Sequence, residues 1–303
     1  MTEKYSLGID VGSTTVKTVI TDSSGEIIYS KYQRHLSKVK ETVTDQLKII
    51  QADYPEAEFT VCITGSAGLG LANSADIPFV QEVHAAFLAV KQKQPDADAV
   101  IELGGEDAKI IFLTGGVEQR MNGSCAGGTG AFIDQMATLL GISADELDEL
   151  SMHSQKIYPI ASRCGVFAKS DIQPLLNQGA RREDVAASIF QAVVDQTVSG
   201  LAQGRTIEGK VLFLGGPLFF LKGLRKAFVN TLGLDNEHAV FPDEAPVFVA
   251  YGCAVYAANA EKAYHIEDII DKVENARTSD NIVTGEPLFN SQTEYDEFID
   301  RHK

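Results

Sequence analysis

A strand–turn–strand pattern occurs twice in this chain, and the repetition limits the possible folds more than any other feature. Residues 5–12 read as a short strand closing on a glycine turn, and residues 16–20 read as the returning strand. The pattern starts again at residue 99, and three pairs of residues match at one constant interval: Asp10 with Glu102, Gly12 with Gly104, and Lys17 with Lys109. The interval is too long for a solenoid repeat, so the sequence predicts two related α/β lobes that each open with a β-hairpin.

The segments around the two hairpins supply the other helices and strands. Periodicity predicts helices at 39–54, 80–94, 143–150, 166–178, 182–202 and 247–262, strands at 59–64 and 210–214, and a glycine-rich loop at 65–70. We assign residues 1–96 and 247–263 to lobe I and residues 97–246 to lobe II. Residues 264–303 lose the strong periodicity and gain acidic and small residues, which predicts a tail or linker.

Composition and charge exclude several classes of protein. At 303 residues the chain has room for two lobes, and 44% hydrophobic residues are ordinary for a globular protein. A formal net charge of −16 and a pI near 4.8 argue against duplex nucleic acid or an anionic membrane surface as the main partner. The sequence shows no membrane-spanning apolar run, no signal-like start and no disulfide framework. We therefore expect a cytoplasmic protein with reduced thiols.

Two acid-bearing glycine turns that face each other across a cleft would suit a nucleotide. Backbone N–H groups of such turns can bind phosphates, and Asp10 with an acid at 106 or 107 can hold Mg²⁺, usually through water. Ordinary hairpins also contain glycine and acidic residues, but the repetition of both features favours a functional role. The predicted phosphate contacts are Gly12, Ser13, Thr14, Thr15, Lys17, Gly104 and Gly105.

Three other glycine-containing stretches resemble phosphate or nucleoside loops to different degrees. Residues 204–210 have the glycine and lysine spacing of a P-loop, but they lack its Ser/Thr and precede a strand, so we reject this interpretation. Residues 65–70 fail the dinucleotide fingerprint at its second glycine. Gly215–Gly216–Pro217 follows a buried strand, and its glycines could admit a flat purine ring; a plain strand-to-helix turn fits nearly as well.

Two cysteines stand in loops that are rich in small residues and precede helical patterns. Cys125 lies in the run 121–130 ahead of the periodic residues 131–140, and Cys164 follows Arg163 ahead of another helical pattern. A helix N-terminus and a neighbouring cation both favour the thiolate form. Two such thiols are half of a tetrahedral metal or iron–sulfur site, and a twofold axis in a dimer would supply the other half.

The residues alone leave other interpretations of these cysteines open. Free cysteines are most often small buried hydrophobic residues, and Cys62 in a strand and Cys253 in an alanine-rich helix fit that role better. A catalytic thiol would need a histidine partner, and the spacing of the six histidines nominates none.

Together these motifs resemble those of the BadF/BadG/BcrA/BcrD ATPase family, which includes activators of 2-hydroxyacyl-CoA dehydratases and ATPase subunits of benzoyl-CoA reductases. The resemblance covers about residues 5 to 260, and the cysteine segments are its most specific part. It implies an α/β fold of the actin-like ATPase type, shared with acetate and sugar kinases and chaperone ATPases, with two duplicated RNase H-like lobes. The residues that carry it are 10–17, 104–107, 121–130, 163–168 and 215–216.

The resemblance also implies cofactors and partners. It implies a homodimer with one [4Fe-4S] cluster at the subunit interface, held by Cys125 and Cys164 of both subunits. Hydrolysis of ATP to ADP, with Mg²⁺ positioned by Asp10 and Asp107 and the attacking water by Glu106, would drive a change between the helices carrying the cluster. Ferredoxin or flavodoxin would supply the electron, and an iron–sulfur dehydratase or reductase would receive it. The further nucleotide contacts expected from the same motifs are Gly128, Thr129, Gly215, Gly216 and Pro217.

Two departures separate the chain from the dehydratase activators. Those activators have glutamine where this chain has Glu106, and they carry a more polar stretch after Gly215–Gly216 than residues 217–220 provide here. Both departures resemble the activase domains of long multidomain activases of anaerobes. The tail at 287–302 resembles a connector to a further domain.

Two other functions are compatible with the same fold. A small-molecule kinase would transfer phosphate from ATP to a sugar or an acid without any need for Cys125. A non-catalytic assembly protein of the actin type would form filaments with ATP and contain no redox-active iron. Neither alternative explains two thiols in loops beside helix starts.

Overall fold

Two five-stranded sheets form the framework of the chain in the computed structural model, which describes residues 4–122, 127–162, 164–276, 288–289 and 291–302. The strands are β1 Lys4–Val11, β2 Thr15–Thr21, β3 Ile27–Arg34, β4 Glu58–Thr64, β5 Ala99–Leu103, β6 Ala108–Phe112, β7 Glu118–Met121, β8 Val211–Leu214, β9 Ala239–Val240 and β10 Tyr264–His265. The α-helices are α1 Val39–Asp53, α2 Gly68–Ala75, α3 Glu82–Lys93, α4 Gly130–Leu140, α5 Ala144–Ser151, α6 Gly165–Asn177, α7 Arg182–Asp195, α8 Gly216–Phe220, α9 Lys222–Leu232, α10 Phe248–Ala257, α11 Ile266–Glu274 and α12 Gln292–Arg301.

The two sheets follow one plan. Their strand orders are β10-β4-β1-β2-β3 and β7-β6-β5-β8-β9. In each sheet an antiparallel hairpin extends to a third antiparallel strand, and a parallel strand joins the first strand of the hairpin from the other side. The registers are equivalent as well, because Asp10 pairs with Lys17 and Glu102 pairs with Lys109. The duplication expected from the sequence is therefore present in the fold.

Helices cover both faces of the first sheet, which explains why β1 and β4 are buried almost throughout. On one face Leu7, Ile9 and Val11 pack with α1 and α11. On the other face α3 and α10 form a core that also includes Val100 and Leu212 of the second sheet. The two helices α3 and α10 therefore belong to a core shared by both sheets. The far face of the second sheet packs against α4, α7 and α9.

Several segments between the sheets differ from the expected pattern. The glycine-rich loop expected at 65–70 ends at residue 67, because Gly68 begins α2 and packs close to β4 and β1. The helix expected at 182–202 is α7 up to Asp195 and continues as a wider π-type turn over Gln196–Leu201. The helix expected at 143–150 is α5, and a capping box formed by Ser143 and Glu146 begins it.

The expectation of a tail or linker from residue 264 is wrong for its first part. Strand β10 pairs antiparallel with β4, and α11 follows at once. This helix places Ile266, Ile269, Ile270 and Val273 in the core of the first sheet. The acidic residues on its outer face make the segment polar on average, so its composition did not reveal the helical spacing of these apolar residues. By contrast, α12 buries no residue.

Among the described residues, no helix combines the length and the apolar character that crossing a lipid bilayer requires.

Candidate functional site

The hairpin turns of the two sheets meet in the cleft between them. A Cβ atom on Gly105 would overlap the side chain of Thr14 in the facing turn, so only glycine allows this approach. In the described part of the chain, the N–H groups of Ser13, Thr14, Gly105 and Glu106 donate to no protein acceptor. Each turn closes with an equivalent backbone hydrogen bond, from Gly12 to the Thr15 carbonyl at 2.9 Å and from Gly104 to the Asp107 carbonyl at 2.7 Å.

A lysine and an acid on paired strands stand behind each turn. In the first lobe Lys17 Nζ lies 2.9 Å from Asp10 Oδ2, and both side chains are nearly buried. In the second lobe Lys109 Nζ lies 2.8 Å from Asp107 Oδ2 and 3.7 Å from Glu102 Oε1. Lys109 also pairs with Glu82 of α3, so one buried ammonium group joins the second turn to a helix of the first lobe.

The charges in this cluster shift one another's pKa values. Burial lowers the pKa of Lys17 and of Lys109, but the neighbouring carboxylates more than offset this, and both pKa values are raised. Burial raises the pKa of Glu102 to about 7, and Lys109 opposes this rise. Two lysines thus face four carboxylates, Asp10, Glu82, Glu102 and Asp107.

This excess of negative charge suits a bound cation. Among the described residues, no three His, Cys, Asp or Glu side chains converge closely enough to hold a metal ion by themselves. The donor set therefore fits a hydrated Mg²⁺, held through water and phosphate oxygens, better than a metal enclosed by protein ligands.

The structure brings most of the predicted nucleotide contacts to one cavity between the turns. Ser13, Glu106 and Asp107 line a second groove, which shares no lining residue with the cavity, and Gly12 packs against Lys17. Gly128 and Thr129 do not line the cavity, but the next two residues, Gly130 and Ala131, do. The predicted residues that do line the cavity are Asp10, Thr14, Thr15, Lys17, Gly104, Gly105, Gly215, Gly216 and Pro217.

Four cavity residues with polar or charged side chains were not predicted from the sequence. Glu102 could have been found, because it is the repeat of Asp10. Tyr32 and Arg34 on β3, and Asp134 on α4, carry no local signal. Arg34 donates two hydrogen bonds to Asp134 Oδ2, at 3.2 and 3.1 Å, so this pair bridges the two lobes at the cavity.

The wall formed by Gly215 and Gly216 has an equivalent in the first lobe. Gly215 follows β8 with φ of +90°, and Gly65 follows β4 with φ of +101°. A Cβ atom at either glycine would strike the main chain of the adjacent strand. Gly216 lies against the hydroxyl of Tyr32, whose ring meets Phe220 edge-on at 5.9 Å. These small and aromatic groups leave a flat slot beside the turns.

The three described cysteines occupy two kinds of environment. Cys125 lies outside the described residues. Cys164 is a free, partly exposed thiol at the N-cap of α6, followed by Val166 and Phe167, which are 70% and 66% exposed. Gly165 packs against Gln135 of α4, which brings the start of α6 to the middle of that helix.

The remaining two thiols are structural. Cys62 and Cys253 are fully buried between β4 and α10, and the Cys253 thiol donates to the Cys62 carbonyl oxygen at 3.1 Å. Burial raises the pKa of the Cys253 thiol well above its ordinary value. Both residues fit the role of small core residues that the sequence suggested.

A duplicated α/β fold whose glycine turns meet at an acidic cleft defines a nucleotide-binding protein of the actin-like class. The chain belongs to the BadF/BadG/BcrA/BcrD ATPase family, which matches residues 7–257. The family and the fold class expected from the sequence are both confirmed.

Individual relatives match along most of their length. The activator of lactoyl-CoA dehydratase from Anaerotignum propionicum is 32% identical over 270 residues, which cover 84% of this chain and 98% of that protein. The crystal structure of Acidaminococcus fermentans (R)-2-hydroxyglutaryl-CoA dehydratase component A superposes with a TM-score of 0.69 at 29% identity, covering 84% and 97% of the two chains. The Clostridium difficile activator of 2-hydroxyisocaproyl-CoA dehydratase with bound ADPNP gives a TM-score of 0.69 at 27% identity, covering 90% and 98%.

Proposed function

We propose that this chain is an ATP-hydrolysing activator that passes low-potential electrons to an iron–sulfur enzyme of the 2-hydroxyacyl-CoA dehydratase or benzoyl-CoA reductase type. Its relatives named as dehydratase activators support the activator role, and the relative with bound ADPNP supports binding of ATP and ADP. The observation that carries the electron-transfer part is the setting of Cys164.

Cys164 has the surroundings of a shared surface ligand. It is a partly exposed thiol at a helix start, where the N–H groups and the helix dipole favour a thiolate. Two large apolar side chains beside it, Val166 and Phe167, point to solvent in the single chain. Such a surface is normally covered, and a second copy of the chain would cover it symmetrically.

A homodimer formed through this surface would give four cysteine ligands, Cys125 and Cys164 of both subunits, for one [4Fe-4S] cluster. The cluster would store one electron at low potential. In this proposal ferredoxin or flavodoxin supplies the electron, and the partner dehydratase or reductase receives it. The dimer, the cluster and these partners rest on the family resemblance and on the setting of Cys164.

The cleft residues would bind MgATP in one orientation. The unpaired N–H groups of the two turns would bind the phosphates, assisted by Lys17 and the hydroxyls of Thr14 and Thr15, which line the cavity. Asp10 and Asp107 would position Mg²⁺ through water. The slot beside Gly215–Pro217 would hold the nucleoside.

The second groove would admit the attacking water. Nucleophile and leaving group lie roughly in line in phosphoryl transfer, so water must approach from the side opposite ADP. Glu106 and Asp107 line a groove that shares no lining residue with the nucleotide cavity, together with Ser13. This placement supports Glu106 as the residue that orients the water, in the position where dehydratase activators have glutamine.

Anaerobic reconstitution of the full chain with iron and sulfide tests the proposal. We expect a brown homodimer whose reduced form gives an EPR signal that changes when ATP is added. Cys125→Ala and Cys164→Ala should each abolish the colour, whereas Cys62→Ala, a buried thiol elsewhere in the fold, should retain it. A colourless wild-type protein, or a coloured Cys164→Ala variant, would contradict the proposal.

The same groove gives the small-molecule kinase a specific observation in its favour. Polar side chains such as Ser66, Gln81 and Gln119 line it next to the phosphate turns, where an acceptor hydroxyl could lie. A kinase would consume ATP only in the presence of its acceptor, and Cys164→Ala would leave that activity unchanged. An activator would hydrolyse ATP without any such acceptor.

A further inference from the structure

The residue after the third strand of each sheet hydrogen-bonds back to its own phosphate turn. In the first lobe this residue is His35: its N–H donates to the Thr14 carbonyl and its Nε2 donates to the Gly12 carbonyl, both at 3.1 Å. The proton is on Nε2 because Nδ1 accepts a hydrogen bond from the Ser37 N–H at 3.0 Å. His35 therefore fixes two carbonyl groups of the first turn.

In the second lobe the equivalent residue is Asn122, which follows β7. Its Oδ1 accepts from the Ala108 N–H at 2.8 Å, and its Nδ2 donates to the Glu106 carbonyl at 3.3 Å. Its own N–H donates to the Ala108 carbonyl at 3.0 Å. One side chain thus joins the second turn and the start of β6 to the end of β7.

The second turn is held from another direction by α4. The Gly130 N–H donates to the Gly104 carbonyl at 3.0 Å, and the Ala131 N–H donates to the Gly105 carbonyl at 2.7 Å. The segment between Asn122 and Gly130 contains Cys125. Because Asn122 and Gly130 both hydrogen-bond to the second turn, both ends of this segment are joined to it. In the described part of the first lobe, no N–H of α1 bonds to the first turn in this way.

Peptide geometry makes these bonds responsive to a phosphate. Each peptide unit is planar and carries its N–H and C=O on opposite sides, so a force on one group turns the other. The peptide unit that carries the Glu106 N–H also carries the Gly105 carbonyl, which accepts a hydrogen bond from the Ala131 N–H. The peptide unit that carries the Asp107 N–H also carries the Glu106 carbonyl, which accepts a hydrogen bond from Asn122 Nδ2. A phosphate that binds these N–H groups therefore acts on both α4 and β7.

We propose that Asn122 is a positioning residue that transmits the phosphate state of the second turn to the β7 side of the cysteine-bearing segment. This role rests on the proposed function, because it gives ATP binding a route to that segment. His35 provides the matched control: it braces a phosphate turn equally well but leads into α1 and away from the cysteines.

Hydrogen–deuterium exchange on iron-free, full-length protein tests this role without any cluster. In the wild type, ADPNP with Mg²⁺ should protect peptides containing 104–108, 118–122 and 130–134. In Asn122→Ala the protection at 118–122 should be lost, with exchange roughly fivefold faster than in the bound wild type. The protection at 130–134 should persist, because the bonds from Gly130 and Ala131 are made by the backbone.

Two further variants separate a positioning role from a general loss of stability. Asn122→Asp keeps the acceptor for the Ala108 N–H but loses the donor to Glu106, so its response at 118–122 should be intermediate. Asn122→Asp also provides the test of the positioning role if Asn122→Ala does not fold. His35→Ala should weaken ADPNP binding but keep protection at 118–122 once the site is saturated.

The results distinguish this role from the proposed function. Unchanged ADPNP-induced protection at 118–122 in Asn122→Ala and Asn122→Asp would overturn the role of Asn122 and leave the electron-transfer proposal standing. The same loss of protection in His35→Ala would also overturn it, because the effect would then be general. A wild type that is colourless after reconstitution would overturn the electron-transfer proposal alone.

Discussion

Lys109 forms ion pairs with three carboxylates at the base of the second phosphate turn. Its side chain is 5% exposed and lies against Glu82, Glu102 and Asp107. Lys109→Met would leave these acids without a counter-charge, and breaking a buried ion pair in this way costs about 3–5 kcal/mol. We expect a loss of this size in the free energy of urea unfolding. Lys48→Met, which removes an exposed pair with Glu274, should change this free energy little; equal losses would contradict the prediction.

Glu102 makes the stability depend on pH. Burial raises the pKa of Glu102 from 4.5 to about 7 in the folded protein. The folded protein therefore holds a proton that the unfolded chain has already released, and the free energy of unfolding should fall as pH rises through this interval. Measured in EDTA between pH 5 and 8, the decline in the wild type should be on the order of 2 kcal/mol. Glu102→Gln should remove it. Parallel unfolding curves for the two proteins across this pH range would be evidence against it.

Repetition in the sequence decided which cleft residues could be predicted. Asp10, Lys17 and the glycine turns were found because the same residue types recur in the second hairpin. Glu82 and Asp134 were missed because each reaches the cleft from an element of ordinary composition, across the lobe boundary. Only the packing of the lobes creates these contacts, so no local pattern records them.

Helix α9 is capped by a residue from another helix. Leu221 at its N-cap has no side chain that accepts a hydrogen bond, and the Asp148 carboxylate of α5 instead accepts from the Lys222 N–H at 2.9 Å and the Gly223 N–H at 2.7 Å. Asp148→Ala should therefore cost about 2 kcal/mol in thermal or urea unfolding, the upper end for a lost cap. Glu149→Ala, on the exposed side of α5, is the control and should change little. Similar losses in both variants would refute the capping role.

Helix α11 lies where the sequence predicted a tail, and its packing predicts that it stabilises the fold. It buries four isoleucine and valine side chains against the first sheet, whereas α12 buries none. Truncation after Ala276 should therefore change the free energy of unfolding by less than about 1 kcal/mol. Truncation after His265 removes all four side chains and should cost at least about 5 kcal/mol. If both truncations unfold at the same urea concentration, α11 does not stabilise the fold as its packing indicates.

The whole molecule shows why the fold was easier to predict than the site. A duplicated hairpin with following helices leaves few possible architectures, and the two equivalent sheets realise the expected one. The cleft depends on how α3 and α10 pack between the sheets, which is a property of a shared core. In the proposed homodimer, the surface around Cys164 would be covered by contacts that a single chain does not contain.

The lobes also meet at the mouth of the cleft, through Arg34 of β3 and Asp134 of α4. Their side chains are 63% and 44% exposed, so the pair should contribute less than about 1 kcal/mol to the free energy of unfolding. It nevertheless lies across the cavity that nucleotide must reach, and both side chains line that cavity. Nucleotide binding should therefore require this contact to open.

A double-mutant cycle on nucleotide association measures that contact. Arg34→Ala removes a charge that attracts ATP, and Asp134→Ala removes one that repels it, so neither single variant isolates the pair. The coupling between them does, because the double variant loses the contact only once. We expect a coupling of roughly two- to fivefold in the association rate constant of a fluorescent ATP analogue, measured by stopped flow. Strictly multiplicative effects on this rate constant would show that the pair does not restrain the lobes.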